Sequence, residues 1–123
     1  MKLISSSTKL VAYFSGNNSL LDSKIKRIEV LYSDSGLCIN IDISMRPSSD
    51  YDNIKLSFIG CKMYSFCFSD DYCFYNVESL KFFINDDGLF YISLDPYGEE
   101  QMMSDEDQDF ILCKDVFAYE LFD

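Results

Sequence analysis

A chain of 123 residues with 48% apolar and 16% aromatic content is long enough to bury one core and too apolar for a disordered acidic protein, so one domain over residues 1–123 is expected. A net charge of −11 disfavours direct contact with nucleic-acid phosphates; the absence of histidine removes Ser–His and Cys–His catalysis, and without paired close spacings such as Cys-x-x-Cys it also argues against a structural zinc site. The longest apolar run, Leu10 to Phe14, is five residues; it offers neither a membrane span nor a signal-peptide core, and a soluble cytoplasmic protein is expected.

Along the chain, Ser5 to Phe14 is ambiguous: Ser7 could cap a short helix through Tyr13, stopped by Ser15-Gly16-Asn17-Asn18. From there strand patterns dominate. Ile25 to Tyr32 places Ile28, Val30 and Tyr32 on one face. Leu37 to Arg46 alternates Leu37, Ile39, Ile41, Ile43 and Met45 with Cys38, Asn40, Asp42, Ser44 and Arg46, the pattern of a half-buried antiparallel strand. Ser33-Asp34-Ser35-Gly36 joins the two as a hairpin. Ile54 to Phe68 is too long for one typical strand, and a bulge or bend is expected at Gly60. Asp70-Asp71 marks a turn, and Tyr72 to Tyr75 a short strand or extended connection. A second hairpin follows, with Leu80, Phe82 and Ile84 facing Phe90, Ile92 and Leu94 across the turn Asn85-Asp86-Asp87-Gly88. Phe110 to Cys113 and Val116 to Phe122 read as one bent strand or two short ones. The predicted fold is mainly β: one antiparallel, strongly bent sheet, sandwich or partly open barrel of roughly six to eight strands, with at most one short N-terminal helix.

The five cysteines, Cys38, Cys61, Cys67, Cys73 and Cys113, are odd in number and mostly sit in apolar patterns, which predicts reduced thiols; their spacing is not that of a metal site. No phosphate loop, nucleophile elbow or dinucleotide fingerprint is present, and neither a catalytic residue nor a cofactor is predicted.

Charge is divided unevenly. Residues 1–63 carry a net +2 and residues 64–123 a net −13, where Lys81 and Lys114 stand against fifteen acidic residues. Seven of the fifteen, Asp95, Glu99, Glu100, Asp105, Glu106, Asp107 and Asp109, fall within fifteen residues that Pro96 and Gly98 mark as a loop. Asp105, Asp107 and Asp109 alternate as at the start of a calcium loop, but Phe110 and Val116 occupy the positions where an EF-hand needs Gly and Glu, so no metal site is expected. Two readings remain. The loop is a solvated surface that aids solubility, or a recognition surface for a basic protein, with Tyr97, Met102 and Met103 as apolar anchors among charges that speed encounter.

Two segments resemble small bacterial immunity proteins of polymorphic toxin and contact-dependent growth-inhibition systems. They are Gly16-Asn17-Asn18-Ser19-Leu20-Leu21-Asp22 leading into Ile25 to Val30, and Phe90-Tyr91-Ile92-Ser93-Leu94-Asp95-Pro96-Tyr97 followed by the acidic loop and Phe110-Ile111-Leu112. The resemblance implies a cytosolic, non-enzymatic inhibitor that binds a cognate toxin domain with a basic surface, such as a nuclease. Asp95, Tyr97, Glu99, Glu100, Asp105, Glu106, Asp107 and Asp109, with Asp70 and Asp71, are the expected contacts. The competing expectation is an acidic β-domain that binds a small ligand or metal, or serves as a subunit of a larger assembly.

Overall fold

The computed structural model describes residues 1–34, 36–67 and 76–121. The turn expected at Asp70-Asp71 and the segment Tyr72 to Tyr75 lie outside these residues.

The described elements are strand β1 (Lys2–Ser6), helix α1 (Ser7–Tyr13), and strands β2 (Lys24–Ser33), β3 (Gly36–Ser44), β4 (Asn53–Ser65), β5 (Lys81–Ile84), β6 (Phe90–Asp95) and β7 (Gln108–Glu120). The seven strands form one antiparallel sheet in the order β2-β3-β4-β7-β6-β5, and β1 pairs with β7. The mainly β expectation is met by a sheet that does not close on itself. β7 is its spine: β4 runs along one side of it, while the other side is shared by β6, opposite residues 108–113, and β1, opposite residues 117–120.

Period-two alternation produces the core directly, because cross-strand partners share a face. Ile28, Ile41, Leu56 and Ala118 align across four strands, and beside them run Val30, Ile39, Phe58 and Val116. Ile39, Ile41, Leu56, Phe58, Val116 and Ala118 are all buried. Helix α1 lies over this face with Leu10 and Phe14 inward, the Phe14 ring 6.2 Å from that of Phe82. Burying two such side chains contributes roughly 1.5–3 kcal/mol each, enough to hold a helix too short to persist alone. Its start differs from the expectation in detail: Ser6 occupies the cap position without a capping side-chain bond, and the Ser7 hydroxyl instead donates to Asp115 Oδ1 at 2.7 Å.

The break expected near the middle of the 54–68 stretch is present, although β4 remains one strand. Gly60 has φ +64, and the β4–β7 register shifts just beyond it, between Cys61 and Met63. A Cβ at Gly60 would stand 2.9 Å from Lys114 Cδ, so any other residue would force the Lys114 side chain to shift as well as straining the backbone. Opposite this point the buried positions of β7 change parity, from Ile111 and Cys113 to Val116 and Ala118, with exposed Lys114 at the switch. Between the two alternatives for residues 110–122 the structure has a single strand through Glu120; Phe122 lies outside the described residues. The Asn85-Gly88 turn forms as expected, with Asn85 Oδ1 accepting from the Asp87 and Leu89 amides at 2.9 and 3.0 Å.

Candidate functional site

Strand β6 departs from half-buried alternation: Phe90 to Leu94 are buried on both faces. Phe90, Ile92 and Leu94 join the main core, whereas Tyr91 and Ser93 point to the opposite face with Lys81 and Phe83 of β5 and Phe110 and Leu112 of β7. What covers that second face is the loop between β6 and β7, residues 96–107. It folds back across its own sheet, so the acidic loop, read from sequence as a solvated or a recognition surface, also has a buried side at Asp107.

Asp107 holds it there. Its carboxylate meets Lys81 Nζ at 3.0 Å, an ion pair in which the Lys81 and Asp107 side chains are 1% and 0% exposed. The Tyr91 hydroxyl donates to Asp107 Oδ2 at 2.6 Å, the Tyr97 amide to Oδ1 at 2.8 Å and the Ser104 amide to Oδ2 at 3.0 Å. These four donors occupy the accepting capacity of an ionised carboxylate. Burial alone would raise the Asp107 pKa, but the bonds from Tyr91, Tyr97, Lys81 and Ser104 outweigh it and hold the carboxyl below its ordinary value. Burial, then the bond to Asp107, push the Tyr91 phenol in the opposite direction, well above its usual range. Lys81 Nζ also donates to Met102 O at 2.8 Å, and Gln101 Oε1 accepts from the Phe82 amide at 3.4 Å. The loop is thus tied to β5 directly at Gln101 and Met102, and to β5 and β6 through Asp107, which also gathers the Tyr97 and Ser104 amides, so its path is set from beneath.

The ten expected contact residues separate by position. Tyr97, Glu99, Glu100, Asp105 and Glu106 are exposed, and Asp95 is half-buried at the end of β6 opposite Gln108. Asp107 and Asp109 are buried and serve the fold. Asp109, at φ +51 and 1% exposed, accepts the Cys67 amide at 2.8 Å. Their desolvated carboxylates are not part of the surface that a partner meets in this conformation. Asp70 and Asp71 lie outside the described residues. The alternation of Asp105, Asp107 and Asp109 has no common focus, since the first is exposed, the second faces Lys81 and the third faces the Cys67 amide. Among the described residues no three His, Cys, Asp or Glu side chains are placed to hold one ion.

Sequence reasoning missed Lys81 and Tyr91. The available signal was Lys81 itself, one of two cations in a strongly acidic half and flanked by Leu80 and Phe82 in an apolar strand. Such a lysine needs a carboxylate partner once the strand is covered.

On the outer side of the loop, Tyr97, Met102 and Met103 are 63%, 57% and 41% exposed, a concentration of apolar surface among the exposed carboxylates. The Tyr91 hydroxyl and the Asp107 carboxylate, joined to each other, lie buried beneath this surface. The arrangement can present negative potential around adaptable apolar side chains. Among the described residues no helix is long and apolar enough to cross a membrane. Comparison with protein-family models, with curated proteins and with solved structures finds no match to this chain in any of the three.

Proposed function

We propose that this domain neutralises a cognate bacterial toxin domain, in the manner of the immunity proteins it resembles, by docking the outer surface of the 96–107 loop on a basic face of the toxin. The observation that supports this reading is the division of labour within the loop. Asp107 is spent inward on Lys81, Tyr91 and two amides, while Glu99, Glu100, Asp105 and Glu106 are left exposed around Tyr97, Met102 and Met103. A surface held in place before the partner arrives loses less conformational entropy on binding, and its uncompensated charge accelerates encounter with a cationic protein. Carboxylates so displayed take the place of phosphates on a nuclease surface, which makes a nuclease domain the preferred toxin class. The role requires no catalytic group or cofactor in this chain, and its setting is the cytoplasm of the toxin-producing cell.

The test is co-expression with a toxin domain encoded beside this chain. Growth should be rescued and the two proteins should co-purify. Neutralising Glu99, Glu100, Asp105 and Glu106 together by Glu→Gln and Asp→Asn should weaken association while leaving the thermal transition of the free domain in place. Association should also slow as salt is raised, because exposed charges are screened beyond about 8 Å at physiological ionic strength. Rescue that persists in the neutralised variant, or an association rate indifferent to salt, would remove the electrostatic basis of the proposal.

A further inference from the structure

The apolar side chains of the loop do more than stand among charges. Tyr97, Met102 and Met103 line a half-open cleft of about 360 Å³ that reaches Lys81 and is also lined by Glu99 and Glu100. Its volume is that of a concave recess able to take one side chain rather than a flat contact. Lys81 brings no free positive charge to it, because its ammonium is taken up by Asp107 and by Met102 O. The lining is mostly apolar and its exposed charges, Glu99 and Glu100, are negative, so the complementary occupant has an apolar stem and a cationic head. Arginine meets both requirements better than lysine. Its planar guanidinium stacks on an aromatic face, pairs with carboxylates through parallel hydrogen bonds and is more weakly hydrated than an ammonium.

We propose that this cleft receives an arginine side chain projecting from the basic face of the partner protein. The stem lies along Met102 and Met103, and the guanidinium sits between the Tyr97 ring and the carboxylates of Glu99 and Glu100. The assignment rests on the reading of the loop as the partner-binding surface and narrows it to one anchoring contact. The methionines can adjust to the stem because their side chains are unbranched and polarizable. The ends of the cleft do not need ordering on binding, since the Tyr97 and Ser104 amides are already held by Asp107.

An acetylated and amidated Ser-Gly-Arg-Gly-Ser peptide, titrated into the full chain carrying methyl-labelled methionine, tests this by NMR. The Met102 and Met103 methyl signals should shift and saturate, while the same peptide with citrulline in place of arginine should leave them unmoved. Tyr97→Ala, and separately Glu99→Gln with Glu100→Gln, should weaken binding about tenfold or more, equivalent to removing one good contact. Asp34→Asn with Asp52→Asn, an equal loss of charge at exposed positions on the β2–β3 turn and before β4, should leave it unchanged. Equal binding of the citrulline peptide would overturn the proposal in favour of a small-ligand cleft. Shifts that never saturate, or that weaken equally in the Asp34/Asp52 variant, would overturn it in favour of diffuse charge attraction. The two readings fail separately. If the arginine peptide binds as stated but no neighbouring toxin is neutralised, the toxin reading falls and the arginine cleft stands. If a toxin is neutralised with an affinity that Tyr97→Ala and Glu99→Gln do not move, the cleft assignment falls alone.

Discussion

Removing one partner of the Lys81–Asp107 pair should be among the most damaging changes available outside the main core. Both side chains are withdrawn from water, 1% and 0% exposed, at a separation of 3.0 Å. Deleting one charge leaves the other buried without its counter-ion, which costs about 3–5 kcal/mol. Lys81→Met belongs near the lower figure, because Asp107 keeps the Tyr91 hydroxyl and the Tyr97 and Ser104 amides. Asp107→Asn belongs near the upper one: it strands the Lys81 ammonium and turns an amide NH2 toward groups that are themselves donors. Against a total stability of about 5–15 kcal/mol for a domain, either loss is large. In the double variant no buried charge remains and the carbonyl of the introduced carboxamide still accepts, so its cost should fall short of the sum of the singles by about 2–3 kcal/mol. Urea unfolding followed by far-UV circular dichroism measures all three, with hydrogen exchange at the Tyr97 and Ser104 amides reporting whether the loop opens before the sheet does. Single variants that each cost less than about 1 kcal/mol and add without coupling would refute the reasoning, since that is how a hydrated surface pair behaves.

The same carboxyl makes stability depend on acid. Its folded pKa lies below the ordinary 3.8, so its contribution is fully present only well above that value and is lost as pH falls through 3.8 toward the folded value. Stability measured down the acid limb should therefore drop less steeply for Asp107→Asn than for the natural chain, and parallel limbs would contradict this. Gly60→Ala should cost about 1–3 kcal/mol, read as a lowered melting temperature, because alanine is strained at φ +64 and its Cβ meets Lys114 Cδ at 2.9 Å. Burial pushes the thiols of Cys61 and Cys113 up to about 11 and about 12, whereas Cys67 is exposed. Alkylation of the native protein at neutral pH, mapped by mass spectrometry, should mark Cys67 and spare Cys61 and Cys113; early labelling of Cys113 would show that the centre of the sheet opens readily.

Much of the sheet was legible in residue order. The rows through Ile41 and Leu56 follow from alternation that repeats every second residue, and the turn at Asn85-Gly88 from side chains that bond their own backbone. Gly60 signalled its bend because an apolar stretch of that length could not remain one regular strand. Less visible was β1, whose Lys2–Ser6 segment has no strong alternation and becomes a strand because the second half of β7 offers it an unpaired edge. For the acidic loop, composition located the charge but could not divide it. Glu106 and Asp107 are neighbours of the same charge, yet one faces solvent and the other is buried against Lys81, twenty-six residues earlier in the chain.

That division marks the boundary between local and tertiary information. Alternation, turn chemistry and the excess of carboxylates after Leu94 act over a few residues, and they were sufficient for a mainly β domain with an acidic loop between two core strands. Which carboxylates remain as surface was decided only when β6 came to lie between β5 and β7 and the loop folded back over Tyr91 and Lys81. The physical reason is desolvation: a charge can be withdrawn from water only where donors from distant parts of the chain converge on it, and that convergence is a property of the assembled sheet.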